Sequence, residues 1–174
     1  MLQPTEVLEK AKAEAAALAH ESQWIAAFAG ATPRVPVFVK NLTRPTRDYY
    51  LVDFQKNGKS TGRMVMDPAT AKVRLVTGIR KDGEALPLFL APEEVTVPTT
   101  GEIILENGQR VAVPAGSFSK ELVWKHSKES RTMFQPLYRL AWGGGLTLYL
   151  RIDRRFYGEL TSTEDTRLPP PAHP

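Results

Sequence analysis

The chain has 174 residues, 42% hydrophobic and 24% charged, which predicts a globular protein with one core or two small subdomains sharing one. It contains no cysteine, so disulfides and thiolate chemistry are excluded. A net charge of +4 is modest for a dedicated nucleic-acid-binding protein and suits an acidic peptide equally well. Because neither a signal-peptide pattern nor an apolar run of membrane-spanning length occurs, we expect a cytoplasmic protein that does not contact the membrane.

The first predicted element is a long N-terminal helix. Pro4 suits an early helical position, Thr5 is a candidate cap, and Gly30 and Pro33 end the pattern. Apolar residues recur at three- and four-residue steps or their multiples, and they form the predicted buried face: Leu8, Ala11, Ala15, Leu18, Ile25 and Phe28. We expect this helix to pack on a sheet.

A β-hairpin is predicted over residues 48–67, because Asn57-Gly58 suits a two-residue turn with positive φ angles. A simple two-residue loop would place one set of side chains on one face, namely Tyr50, Val52, Phe54, Thr61, Arg63 and Val65. The other face would then carry Tyr49, Leu51, Met64 and Met66. Since neither face is cleanly polar, we expect the helix to cover one, and a second layer, a partner subunit or a bound peptide to cover the other.

The remaining elements of residues 1–80 flank this hairpin. Residues 34–42 read as an extended segment that Pro36 confines to a sheet edge or to a non-strand conformation. After a turn at residues 67–70, residues 72–79 form a third strand. Helix plus three-stranded meander is therefore the first predicted unit, and residues 81–98 are a connection.

Residues 81–160 are predicted to form a second unit. Asn107-Gly108 marks a hairpin over residues 102–113, and Ser117 or Ser119 begins a short helix through about Met133, although residues 122–124 would also suit a strand. Strands follow at 137–142, 146–153 and 156–160. Residues 161–174 are polar and then proline-rich, which is typical of a disordered tail.

The run YYLVDFQKNGKSTGRMVMDPATAKV resembles PepSY and peptidase-propeptide-like domains, in which a helix precedes an antiparallel meander. Ala71 departs from the pattern, since the family has glycine there. The run FQPLYRLAWGGGLTLYLRID is similar to the aromatic-rich strands found beside such domains. The resemblance implies an α+β fold, with an N-terminal helix packed on antiparallel meanders and two helix-plus-meander halves. Its members are usually secreted or membrane-attached and are thought to inhibit peptidases or bind peptides.

A small cytosolic member would be similar to the non-enzymatic peptide-binding components of ribosomal peptide natural-product pathways. The expected mechanism is strand addition, in which a sheet edge holds an extended precursor while a modifying enzyme or peptidase acts on it. Aromatic and basic residues near the C-terminal strands are the predicted peptide-binding site: Tyr138, Arg139, Trp142, Tyr149, Arg151, Arg154 and Arg155. Unguarded sheet edges also predict a homodimer.

Other chemistries find less support. The histidines His20, His126 and His173 lack metal-ligand spacing, and no catalytic constellation or cofactor motif occurs, so we expect neither a metal nor a cofactor. A peptidase inhibitor and a single-stranded nucleic-acid-binding module remain as alternatives. In the latter, bases would stack on tyrosines and a tryptophan interleaved with arginines, but the dispersed acidic residues favour a peptide.

Overall fold

The computed structural model describes residues 1–78, 89–130 and 134–163. Two helices lie at its N-terminal end, α1 (Pro4–Leu18) and α2 (Ile25–Phe28). The first strands are β1 (Thr32–Pro33), β2 (Val37–Asn41), β3 (Tyr49–Lys56), β4 (Lys59–Met66) and β5 (Val73–Gly78). The later strands are β6 (Glu102–Ile104), β7 (Arg110–Ala112), β8 (Phe118–Trp124), β9 (Leu137–Trp142), β10 (Thr147–Leu150) and β11 (Phe156–Tyr157).

Most strands belong to one sheet with the order β11-β10-β9-β8-β2-β3-β4-β5, and β1 pairs with β3 beside β2. Its pairs are antiparallel except β2 with β8, where Lys40 lies opposite Val123 in a parallel register. Strands β6 and β7 form a separate hairpin. The described part of the chain is thus a mixed α+β fold with an N-terminal helical region and a mainly antiparallel sheet. Neither of its helices is long and apolar enough to cross a membrane.

The predicted single helix is interrupted after Leu18. Tighter turns follow, in which the amides of His20 and Trp24 donate to carbonyls three residues earlier. The chain thereby changes direction, and Ile25 is 47% exposed instead of buried as predicted. The prediction of a cap at Thr5 is also wrong: α1 begins at Pro4, and the Glu6 carboxylate accepts a hydrogen bond from the Gln3 amide at 2.8 Å.

The hairpin at Asn57-Gly58 is confirmed, but the predicted assignment of side chains to its two faces is wrong. Gln55 lies opposite Ser60 and Phe54 opposite Gly62, so Thr61 is an extra, bulged residue. A one-residue shift exchanges the two faces of β4 beyond the bulge. Met64 and Met66 therefore join Tyr50, Val52 and Phe54, whereas Val65 joins Tyr49 and Leu51.

The bulge accommodates α2. The Thr61 hydroxyl donates to the Ala27 carbonyl at 2.7 Å. Gly62 lies directly under Phe28, where an added Cβ would stand 2.8 Å from a ring carbon. The close approach of α2 thus depends on two residues: Thr61, which has no residue opposite it on β3, and Gly62, which has no side chain.

Both faces of the hairpin are buried within the chain, as expected. Helices α1 and α2 cover one face, with Val7, Ala11, Ala15 and Phe28 packed on it. The other face belongs to a larger core that the second half of the chain completes. Residues from segment 89–105 and from β8 to β10 contribute to this core, including Leu90, Val95, Ile103, Leu105, Leu122, Leu140 and Leu148.

The prediction for residues 34–42 is confirmed in part, whereas that of a helix from Ser117 or Ser119 is wrong. Pro36 lies outside the strand, since β2 begins at Val37, and in the described residues only Lys40 and Asn41 of β2 pair with β8 on the side away from β3. The helix expected from Ser117 or Ser119 is instead β8, because Leu122 and Trp124 reach the large core while Val123 points to the opposite face. The second half therefore has no α-helix in its described residues, and its likeness to the first half is limited to the strands.

The other predicted strands occur at the expected positions in the chain. Strand β9 has the predicted bounds, the Asn107-Gly108 hairpin forms, and β5, β10 and β11 are shorter versions of predicted strands. Part of the predicted connection at 81–98, residues 131–133 of the wrongly predicted helix, and the tail from 164 onward lie outside the described residues.

Candidate functional site

The aromatic residues of the predicted peptide site mostly serve the core. Tyr138 and Trp142 are each 4% exposed, and the Tyr138 hydroxyl donates to the Leu90 carbonyl at 3.0 Å. Burial raises the pKa of Tyr138 to about 12, helped by the nearby negative charge of Glu93 and Glu94. Tyr149 is half-buried on the opposite face of the sheet, so the structure does not bring these rings together as one stacking platform.

Two predicted arginines form ion pairs within the chain, Arg139 on β9 and Arg151 directly after β10. The Arg139 Nε atom donates to Glu121 on the neighbouring strand at 2.9 Å. Arg151 is 5% exposed and donates two hydrogen bonds to Asp153, at 2.9 and 2.7 Å, and one to the Glu129 carbonyl at 3.1 Å. The hydrogen bonds to Asp153 raise the pKa of Arg151, which keeps this buried guanidinium charged.

Arg154 and Arg155 are exposed but are also engaged. Arg154 donates to the Glu94 carbonyl at 3.2 Å, and Arg155 is paired with both Glu106 and Asp153. The structure thus brings together Arg151 and Arg155 around Asp153, while Arg139 lies apart. Each of the predicted arginines already has an acidic or carbonyl partner supplied by the chain.

The two ends of the sheet order differ. Beyond β11, Leu105 forms a β-bridge with Phe156, and the Glu106 amide donates to the Phe156 carbonyl at 2.8 Å. Beyond β5, no residue in ranges 1–78, 89–130 and 134–163 forms a strand pair. In the described structure the border of β5 is therefore unpaired, as is the outer border of the two-residue strand β1, whereas β11 is capped.

A cavity of about 940 Å³ lies where β2, β8 and the start of β5 converge. We call it the arginine cavity, and it is lined by Asn41, Thr43, Arg44, Thr46, Arg47, Arg74, Trp124, His126, Phe134 and Thr163. None of these ten residues is acidic. The cavity therefore combines basic and hydroxyl side chains with an aromatic wall.

The loop that carries Arg44 and Arg47 is fixed at both ends. At one end, the buried Asn41 side chain accepts hydrogen bonds from the amides of Thr43 and Arg44, at 3.0 and 2.9 Å. At the other, the Arg74 guanidinium donates to the carbonyls of Arg47 and Asp48, at 3.3 and 2.8 Å. Both arginines are exposed, and within the described residues neither guanidinium has an acidic partner.

The third arginine of the cavity is tied to the turn before β5. Arg74 forms an ion pair with Asp67, whose other carboxylate oxygen accepts hydrogen bonds from the amides of Ala69 and Thr70. The hydrogen bond from Arg74 lowers the pKa of Asp67 to about 2. Asp67 remains ionised at neutral pH and holds Arg74 at the cavity.

The aromatic wall contains a donor without an acceptor. Trp124 is 9% exposed, and its indole Nε1 atom is buried without a hydrogen-bond partner. Phe134 stacks on the Trp124 ring at 5.2 Å between centroids, and His126 meets the ring edge-on at 6.3 Å. A buried polar atom without a partner is uncommon in folded proteins and calls for an explanation.

Sequence reasoning missed the arginine cavity. Its residues come from five separated stretches of the chain, so no local motif unites them. The one available signal was the segment NLTRPTRD, in which two arginines and a single acid, Asp48, stand between two strands. Within the described ranges, no three histidine, aspartate or glutamate side chains lie close enough together to hold a metal ion.

Comparisons of the chain with protein-family models, curated proteins and solved structures gave no match.

Proposed function

We propose that this protein is a non-enzymatic peptide-binding protein that holds an extended peptide as an additional strand on its sheet. The observation that carries the proposal is the unpaired border of β5 in the described structure. Peptides bind such borders through backbone hydrogen bonds, and side chains on the two faces supply selectivity. The resemblance of residues 49–73 to PepSY domains supports the same function, since members of that family are thought to bind peptides.

The surroundings of β5 favour a peptide with alternating apolar side chains. Leu75 packs against the large core, whereas Val73 and Val76 pack against the helical layer. Trp24 lies beside Gly78, 3.6 Å from the position of an added Cβ. A strand added at this border would alternate its side chains between these two apolar surroundings.

The proposed border is far from the residues that the sequence suggested. Strands β9, β10 and β11 stand at the opposite end of the sheet order, with β8, β2, β3 and β4 between them and β5. A peptide on β5 would therefore lie next to Lys72 and Arg74, not next to Arg151 or Arg155. We propose that the peptide is a precursor on which a modifying enzyme or a peptidase acts.

Selection from a displayed library of random peptides on the immobilised chain tests this function. The affinity of each selected peptide is then measured for the wild type and for Thr77→Lys, which places a charge on the exposed border strand. Ser119→Lys is the matched control, because Ser119 is equally exposed but lies on β8, between β2 and β9. We expect Thr77→Lys to weaken binding about tenfold and Ser119→Lys to leave it unchanged. Selected peptides that bind both variants equally well would contradict the proposal.

The same border offers a route to the homodimer that the sequence predicts. In the absence of peptide, we propose that two copies pair through β5 about a two-fold axis. Sedimentation of the wild type should give a dimer that a selected peptide dissociates. A monomer at all concentrations would contradict the dimer proposal. It would not bear on peptide binding, which the selection experiment tests.

A further inference from the structure

The arginine cavity has features of a small-molecule site that strand addition at β5 does not require. Its volume of about 940 Å³ is within the range of ligand sites, which are typically apolar with a few placed polar groups. Here the polar groups are cationic or hydroxyl-bearing, and the apolar part is an aromatic wall. The occupant must therefore match both parts.

The charge of the cavity favours an anion. Arg44 and Arg47 lack acidic partners in the described part of the chain, and Arg74 has one partner, Asp67, outside the cavity lining. By contrast, the four arginines of β9 to β11 all have partners. Guanidinium groups form paired hydrogen bonds with carboxylate and phosphate groups, which are planar or multidentate acceptors.

Hydrogen bonds hold the backbone of the loop that carries Arg44 and Arg47 in place before a ligand arrives. Asn41 closes the start of the loop, and Arg74 binds the two carbonyls at its end. Preorganised groups lose less conformational freedom on binding, so more of the interaction contributes to affinity. The threonine hydroxyls at Thr43 and Thr46 lie on the same loop and add donors.

The wall of the cavity favours a planar ring. Phe134 and Trp124 are stacked, and aromatic side chains pack well against flat apolar groups. A simple inorganic ion would leave this apolar part of the cavity unfilled, whereas a ring attached to the anionic group would contact it.

We propose that the arginine cavity binds a small anion in which a phosphate or carboxylate group is attached to a planar ring. Arg44, Arg47 and Arg74 bind the anionic group, and the Trp124–Phe134 wall contacts the ring. This site is separate from the border of β5, so its failure would leave the proposed peptide-binding function standing.

The test follows the indole N–H signals of Trp24, Trp124 and Trp142 by ¹⁵N NMR during titration. Adenosine 5′-monophosphate and indole-3-acetate are the probes, one with a phosphate and one with a carboxylate on a ring system. Two reference compounds are titrated in the same way: inorganic phosphate, which lacks the ring, and adenosine, which lacks the charge. We expect a saturable shift of the Trp124 signal with at least one probe, little movement of the other two signals, and weaker effects of both reference compounds. The tighter probe identifies the anionic group.

The variant Arg44→Gln/Arg47→Gln should weaken binding of the tighter probe about tenfold or more, because charge-assisted hydrogen bonds are lost. Both side chains are exposed, so the fold should persist, and an otherwise unchanged spectrum verifies this. Arg110→Gln, at an exposed position on β7 outside the cavity, is the matched control and should bind as the wild type does. The proposal is overturned if neither probe moves the Trp124 signal, if a reference compound binds as tightly, or if the double variant binds like the wild type.

Discussion

The two ends of the sheet use the same kind of residue for different purposes. At the β11 end, Arg151 and Arg155 surround Asp153, and residues 105–106 cap the border strand. At the β5 end, the border strand has no described partner, and Arg44 and Arg47 stand at a cavity without acidic partners. One end is closed by interactions within the chain, whereas the other has a border strand and two arginines without partners among the described residues.

This difference shows that basic residues interleaved with aromatic ones do not identify a binding site by themselves. Tyr138 and Trp142 are core residues, and the arginines near them are paired with acids, some close in the sequence, as Asp153 is to Arg151, and others distant, as Glu106 is from Arg155. What distinguishes a cation available to a ligand is the absence of a partner. That property depends on tertiary structure.

The largest loss of stability is expected for a substitution at the β11 end of the sheet. Arg151→Ala removes a guanidinium that is 5% exposed and leaves Asp153 without its principal partner. We expect the free energy of unfolding to fall by about 3 kcal/mol, the range typical of breaking a buried ion pair. Urea denaturation measures it, with the exposed Arg154→Ala as control, for which a change within about 0.5 kcal/mol is expected. Equal effects of the two substitutions would show that the end is not closed as described.

Two glycines, Gly62 on β4 and Gly143 after β9, are expected to differ in how much stability is lost when each is replaced by alanine. Gly62→Ala places a Cβ 2.8 Å from the Phe28 ring, so α2 must move away from β4. We expect a loss of about 2 kcal/mol, as is usual for overpacking. Gly143→Ala, in the turn between β9 and β10, meets no atom within 4 Å and should change stability little. If calorimetry gives Gly62→Ala the stability of the wild type, the close helix contact is incorrect.

Measuring stability at acidic pH tests the contribution of Asp67, which lies at the β5 end of the sheet. Its pKa is lowered from 3.8 to about 2, chiefly by the hydrogen bond from Arg74, so the folded state binds this proton less readily than the unfolded state. The stabilisation is present above pH 3.8 and is lost as the pH falls through about 2. The stability difference between wild type and Asp67→Asn should therefore shrink between pH 5 and pH 2 in urea denaturation at a series of pH values. A difference independent of pH would contradict this role.

The smallest effect on stability is expected for the arginine cavity itself. Arg44→Ala removes an exposed side chain that has no ion pair in the described structure, so the free energy of unfolding should stay within about 0.5 kcal/mol of the wild type. The same urea denaturation measures it. A loss comparable to that of Arg151→Ala would mean that Arg44 supports the fold and is not reserved for a ligand.

Local sequence signals predicted the parts of the fold that depend on local chemistry. Asn57-Gly58 fixed a turn, and alternation of apolar residues located β9. The bulge at Thr61 could not be predicted, since it depends on α2 approaching Gly62 from elsewhere in the chain. At β8 two local signals conflict: Ser117 and Ser119 are typical helix caps, whereas residues 122–124 suit the strand that the core contacts favour.

The candidate sites were less predictable than the fold. Arg44 and Arg47 stand in a loop whose neighbours, Trp124 and Phe134, are about eighty or more residues away in the sequence. Likewise, the strand order depends on the parallel pairing of β2 with β8, a strand from the second half of the chain. Long-range pairing decided both outcomes.

Amide hydrogen exchange by NMR, without and with a peptide selected on the immobilised chain, tests strand addition most directly. The account predicts that outward-facing amides of β5 exchange rapidly in the free protein and become protected when the peptide binds, while the Glu106 amide at the capped β11 border is protected in both states. Peptide-induced protection at β11, or none at β5, would contradict it.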